Sequence, residues 1–153
     1  MQPFFADYLN NLQEFHDEIR AVIKGLPQTE LDWTPTAEIN SLNALVTHLS
    51  GAERYWIGDV IAGKPAERDR EAEFRVQGLS EQDLLRRLSD NEEFIRKALE
   101  PLALQDLETE RTSPRNGRSV TVGWALCHAL KHTALHLGHM QITRQLWEQR
   151  QGH

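Results

Sequence analysis

His128-Ala129-Leu130-Lys131-His132-Thr133-Ala134-Leu135-His136-Leu137-Gly138-His139 places four histidines in one short, apolar segment. Read as a helix with His132 at zero, His128 falls at about −40°, His136 at about +40° and His139 at about −20°. Ala125, Ala129, Leu135, Thr143, Leu146 and Trp147 share that sector, so the pattern predicts that all four imidazoles face the core. Lys131, Thr133, Gln141, Arg144, Gln145 and Glu148 fall on the sides or the back. A buried imidazole without partners costs about 1–3 kcal/mol. A shared metal ion removes that cost, because neutral imidazole is a good ligand for zinc, nickel, copper or iron. Histidines at i and i+4 lie on one face and can converge on one ion.

The rest of the chain supplies the other walls of an all-α four-helix bundle. Phe5, Leu9, Leu12, Phe15, Ile19, Ile23 and Leu26 make one apolar stripe from about Pro3 to Lys24. Gly25 and Pro27 end it, and 28–40 reads as a connecting loop. A second helix is expected from Leu42 to Ala62, with Ser41 as N-cap and Gly63 and Pro65 as stops. The segment 64–79 reads as a loop. A third helix starts at Ser80, where Asp83 completes a variant capping box, and Pro101 limits it. Residues 102–119 look irregular, with Ser113-Pro114-Arg115-Asn116-Gly117 a strong turn signal. The last helix is expected from about Thr121 to Gln149. No segment sustains period-two alternation, so no sheet of importance is expected.

With 153 residues, the chain is expected to form one domain, 1–153. The net charge of −6 and the lack of a basic cluster argue against a nucleic-acid partner and an anionic membrane surface. No apolar run is long enough to span a bilayer, and the N-terminus lacks a signal-peptide pattern. The single cysteine, Cys127, cannot form an internal disulfide, which fits the cytoplasm.

On the second helix, His48 shares its face with Ala44, Leu45, Gly51, Ala52, Tyr55 and Asp59. The small residues leave room for an imidazole, and they would equally serve close helix packing. His16 flanks the stripe of the first helix, as a pocket wall or a fourth ligand. Glu53 lies about 140° from His48, at a helix interface or in water.

Two of these segments carry a family resemblance. His48-Leu49-Ser50-Gly51-Ala52-Glu53-Arg54-Tyr55-Trp56 resembles the second-helix motif of the DinB-like proteins, a His-Leu pair followed by a Glu and aromatic residues. His132-Thr133-Ala134-Leu135-His136-Leu137-Gly138-His139 resembles their last-helix motif, two histidines four apart before a Gly-His or Gly-Gln pair. The helix order agrees over essentially the whole chain. The resemblance implies a four-helix bundle with a metal held by His48, His132 and His136, and His128 and His139 as pocket residues. It also implies a homodimer, for which Trp56, Trp124 and Trp147 are candidate anchors. Some relatives are transferases or isomerases that use bacillithiol or mycothiol. Arg144 is followed by Gln145 where the family often has an acidic residue, which leaves the subgroup open.

Three imidazoles and an open coordination position suit catalysis. Taken with the resemblance, this implies a zinc- or nickel-dependent S-transferase joining a low-molecular-weight thiol to a small electrophile. The alternatives are a metal-dependent hydrolase and a non-enzymatic, stress-related protein with a structural metal. His128, His139, Glu53 and Asp59 are the candidate proton carriers. His153 is given no role.

Overall fold

The computed structural model describes residues 1–64 and 67–152; Pro65, expected to help stop the second helix, and His153 lie outside them. Four long helical segments make the bundle: α1 (Pro3–Ile23), α3 (Leu42–Glu53) with its continuation Arg54–Ile61, α5 (Glu81–Leu99) and α6 (Val122–Gln151). Their starts are set by local chemistry. Ser41, Ser80 and Thr121 each accept a hydrogen bond from a backbone N–H of the first turn. At Ser80, Asp83 answers with a bond to the cap backbone, completing the expected capping box.

The second long segment changes character. After Glu53 the chain winds as a π-helix from Arg54 to Ile61, wider than the α-helix expected to Ala62. Such wide turns concentrate at functional sites. Both connectors contain a helical turn not expected from the sequence. The loop after α1 contains the single turn α2 (Gln28–Leu31), and 64–79 contains α4 (Arg70–Glu73). The segment read as irregular holds a 3-10 turn (Leu104–Glu108) and an antiparallel hairpin of β1 (Glu110–Thr112) and β2 (Ser119–Thr121). Gly117, at φ +70°, takes the left-handed position in its turn.

The core divides into two apolar clusters. One joins Phe5, Leu12, Ile57, Ile95, Leu126 and Ala129; the other joins Ile19, Leu49, Leu88, Leu137 and Met140. Between them every long helix contributes polar side chains to one fully buried layer: His16 from α1, Glu53 from α3, Asn91 from α5 and Thr133 from α6. Thr133 therefore belongs to the core, although the wheel put it to the side. Leu135 and Leu146, expected inside, are 55% and 38% exposed. The reason is that α6 carries apolar residues around most of its circumference, so the histidine stripe marks the edge of its buried face and not the centre.

Candidate metal centre

His48 is buried on α3, and His132 and His136 are half-buried on α6. His48 Nε2 lies 3.2 Å from His132 Nε2, which in turn lies 3.2 Å from His136 Nε2. Each neutral imidazole has one N–H. Hydrogen bonds therefore cannot satisfy three Nε2 atoms pointed at one another. A cation at their centre can. A tetrahedral ion with metal–nitrogen bonds of about 2.0–2.1 Å sets its ligand nitrogens about 3.3 Å apart, close to the two 3.2 Å spacings around His132. Among the described residues this is the group of histidine, cysteine and acidic side chains that could hold a metal ion.

The electrostatics favour lone pairs over protons. Burial, then the neighbouring His136, His48, His128 and Arg68, lower the His132 pKa to about 3. Burial, His48 and His139 lower that of His136 to about 4. Both rings are neutral at pH 7 and free to donate a lone pair. Their Nδ1 atoms are buried and have no hydrogen-bond partner among the described residues.

His48 is held differently. Its Nδ1 donates to Glu73 Oε2 at 2.9 Å, which leaves Nε2 as the lone-pair atom. Arg68 grips the same carboxylate through Nε at 2.6 Å and Nη2 at 2.8 Å. Burial works against the Glu73 charge, but Arg68 and His48 outweigh it and lower its pKa. A carboxylate behind a ligating histidine fixes its tautomer and orientation. Gly51 makes this approach possible: a Cβ there would stand 2.8 Å from the Glu73 carboxyl carbon. Phe74 packs its ring 4.4 Å from that of His48. The connector that looked featureless thus supplies Arg68, Glu73 and Phe74. The helical glycine at 51 was the one signal that something approaches α3 closely.

The remaining candidates fall into two groups. His128 stacks on Trp124 at 4.8 Å, packs against Trp56 at 4.6 Å and lies 6.2 Å from the His132 ring. Burial, Lys131 and Arg118 lower its pKa. His139 is exposed, 5.4 Å from the His136 ring, and borders a cavity of about 300 Å³ with Ile39, Leu45, Ile142 and Leu146. Asp59 borders another of about 530 Å³ with Tyr55, Arg68 and Arg115. His16 and Glu53 are not at the centre. His16 is fully buried, and Glu53 accepts from it at 3.1 Å, so His16 is no fourth ligand. The wheel placed Glu53 at an interface or in water; it is at the interface.

A family model described as mycothiol-S-transferase matches residues 7–149. The chain belongs to the mycothiol-S-transferase family. Solved structures agree on the DinB-like four-helix bundle. A conserved protein from Enterococcus faecalis matches with a TM-score of 0.74 at 16% identity, over 95% of this chain and 98% of its own. YfiT from Bacillus subtilis, described as "a probable metal-dependent hydrolase with an unusual four-helix bundle topology", matches with a TM-score of 0.73 at 14% identity, over 97% and 90%. No curated protein matches the sequence. Within this mycothiol-S-transferase family member, no described helix is long and apolar enough to cross a membrane.

Proposed function

We propose that the protein is a metal-dependent S-transferase that joins a mycothiol- or bacillithiol-type thiol to a small electrophile. His48, His132 and His136 hold the ion, zinc or nickel, through Nε2. The observation that carries this reading is the meeting of three imidazole nitrogens from two helices, with His132 Nε2 lying 3.2 Å from both His48 Nε2 and His136 Nε2 and all three within 4.8 Å of one another. A divalent cation held by these three nitrogens could take a further ligand and would supply the charge that makes a thiolate available near neutral pH. Glu73 and Arg68 keep His48 aimed at the centre. His128, neutral at pH 7, is a base beside the centre for the thiol's proton. Glu53 is excluded from that role because its oxygens are buried and occupied by His16 and Thr133. Phe74 packs against His48, and Trp56 and Trp124 pack against His128, so aromatic faces hold both of these imidazoles in place.

The test is turnover of a model electrophile by metal-loaded protein, with and without mycothiol or bacillithiol. Product that needs both metal and thiol supports the transferase. Hydrolysis of an ester or amide in the presence of metal alone would replace it with the hydrolase reading, which the likeness to YfiT favours as the second choice. A cytoplasmic, stress-related homodimer completes the proposal. Light scattering after size exclusion checks the dimer, and a monomer at micromolar concentration would remove it.

A further inference from the structure

The metal centre accounts for neither the buried polar layer nor its position. Glu53 lies at the end of α3, five residues after His48, and is fully buried. Its Oε1 accepts from Thr133 Oγ1 at 2.5 Å, and His16 Nε2 lies 3.1 and 3.2 Å from its two oxygens. Asn91 donates to it as well, and Arg54 fixes Asn91 through a 3.0 Å bond. On the far side of His16, Nδ1 faces Glu92 at 2.8 Å, and Arg20 pairs with that carboxylate at 2.9 Å. Carboxylates only accept, so an imidazole with one on each nitrogen must carry both protons. The layer is thus a charged network that joins α1, α3, α5 and α6.

An apolar layer would stabilise a bundle equally well or better, because desolvating charges is expensive. What a buried polar layer adds is register: only one axial alignment of the helices satisfies it, as a buried polar pair does in coiled coils. The register it fixes here is that of the ligand-bearing helices. Thr133 directly follows His132, and its bond to Glu53 ties α6 to α3 without using a candidate ligand. The Glu53–Thr133 bond is short and directional, so a small slide of α6 along α3 would break it.

We infer that Glu53 and Thr133 are positioning residues for the metal centre, setting the alignment of α3 and α6 that lets His48 meet His132 and His136. The inference rests on the proposed ligand set. Cobalt(II) is the probe, because its visible absorption reports coordination geometry as well as occupancy. Circular dichroism at 25 °C first establishes that each variant is folded. Thr133→Val keeps the side-chain shape and removes the hydroxyl; Thr133→Ser keeps the hydroxyl. The expected result is roughly tenfold weaker cobalt binding with an altered spectrum for Thr133→Val and Glu53→Gln, and near wild-type behaviour for Thr133→Ser. Folded Thr133→Val and Glu53→Gln variants with wild-type affinity and spectrum would overturn the inference. So would a Thr133→Val variant that does not fold, since the bond would then hold the fold and not the register. If Glu53→Gln alone does not fold, Thr133→Val decides. Wild-type protein that takes up no cobalt would instead defeat the proposed ligand set.

Discussion

Histidines occupy two buried places in this bundle, and the two environments treat them oppositely. At the triad, burial and neighbouring cationic or imidazole groups lower the pKa of His132 to about 3 and of His136 to about 4. In the polar layer, burial also opposes the charge on His16, but Glu53 and Glu92 override it and raise its pKa to about 9. One region keeps its histidines as lone-pair donors; the other keeps its histidine as a cation. The difference lies in the partners. Acceptors surround both nitrogens of His16, whereas the triad nitrogens face one another and two of the rings have an unpartnered Nδ1. Histidine burial alone therefore does not mark a metal centre. Convergent nitrogens, with Nδ1 of two of the rings unpartnered among the described residues, are the feature that points to the proposed one.

Several measurements would break or sharpen this contrast. The largest effect is expected from Glu53→Ala, which strands the His16 cation in the core. It should cost about 3–5 kcal/mol in urea denaturation; a loss below about 1 kcal/mol would mean that the layer is not charged. Next is the pH dependence of the metal-free protein, with limbs of different origin. The folded pKa of His16 lies above the unfolded value, so its contribution is complete below about pH 6.5 and fades as the pH rises through about 9. That limb amounts to a few kcal/mol. The triad gives the acid limb. His132 and His136 bind protons more weakly folded than unfolded, so stability falls as the pH drops from about 6.5 through about 4 and 3. His16→Gln should remove the alkaline limb and leave the acid one; loss of both would erase the distinction.

Smaller effects probe the support of His48. Glu73→Gln should weaken metal binding about 10- to 100-fold, read by competition with a chromophoric chelator. Gly51→Ala forces the Glu73 carboxylate away and should move affinity in the same direction with the fold retained. The smallest change is expected from His128→Ala, which should leave metal affinity within about threefold while slowing turnover, since His128 is beside the centre and not in it.

Much of this was readable in the chain because the signals were local. Caps at Ser41 and Ser80 act within one turn, and the i, i+4 pair His132–His136 needs no knowledge of the fold. What stayed hidden depends on contacts between distant segments. Glu73 reaches His48 across 25 residues from a connector without a recognisable pattern. Thr133 looked peripheral because the apolar residues of α6 encircle it, so a wheel centred on the histidines missed the true core direction by roughly a quarter turn. His16 looked like an edge residue for the same reason: Glu53 and Glu92, which hold it inside, come from α3 and α5. The π-helix after Glu53 leaves no local signature, and the three-residue strands of the hairpin are too short to show alternation.

The central claim is that His48, His132 and His136 share one divalent ion. Its most direct test is elemental analysis of freshly purified protein together with zinc and nickel titration of the apo form, on wild type, His48→Ala and His136→Ala. The account predicts about one equivalent of metal per wild-type chain and little or none in either variant. Wild-type protein without metal, or variants that still take up a full equivalent, would contradict it.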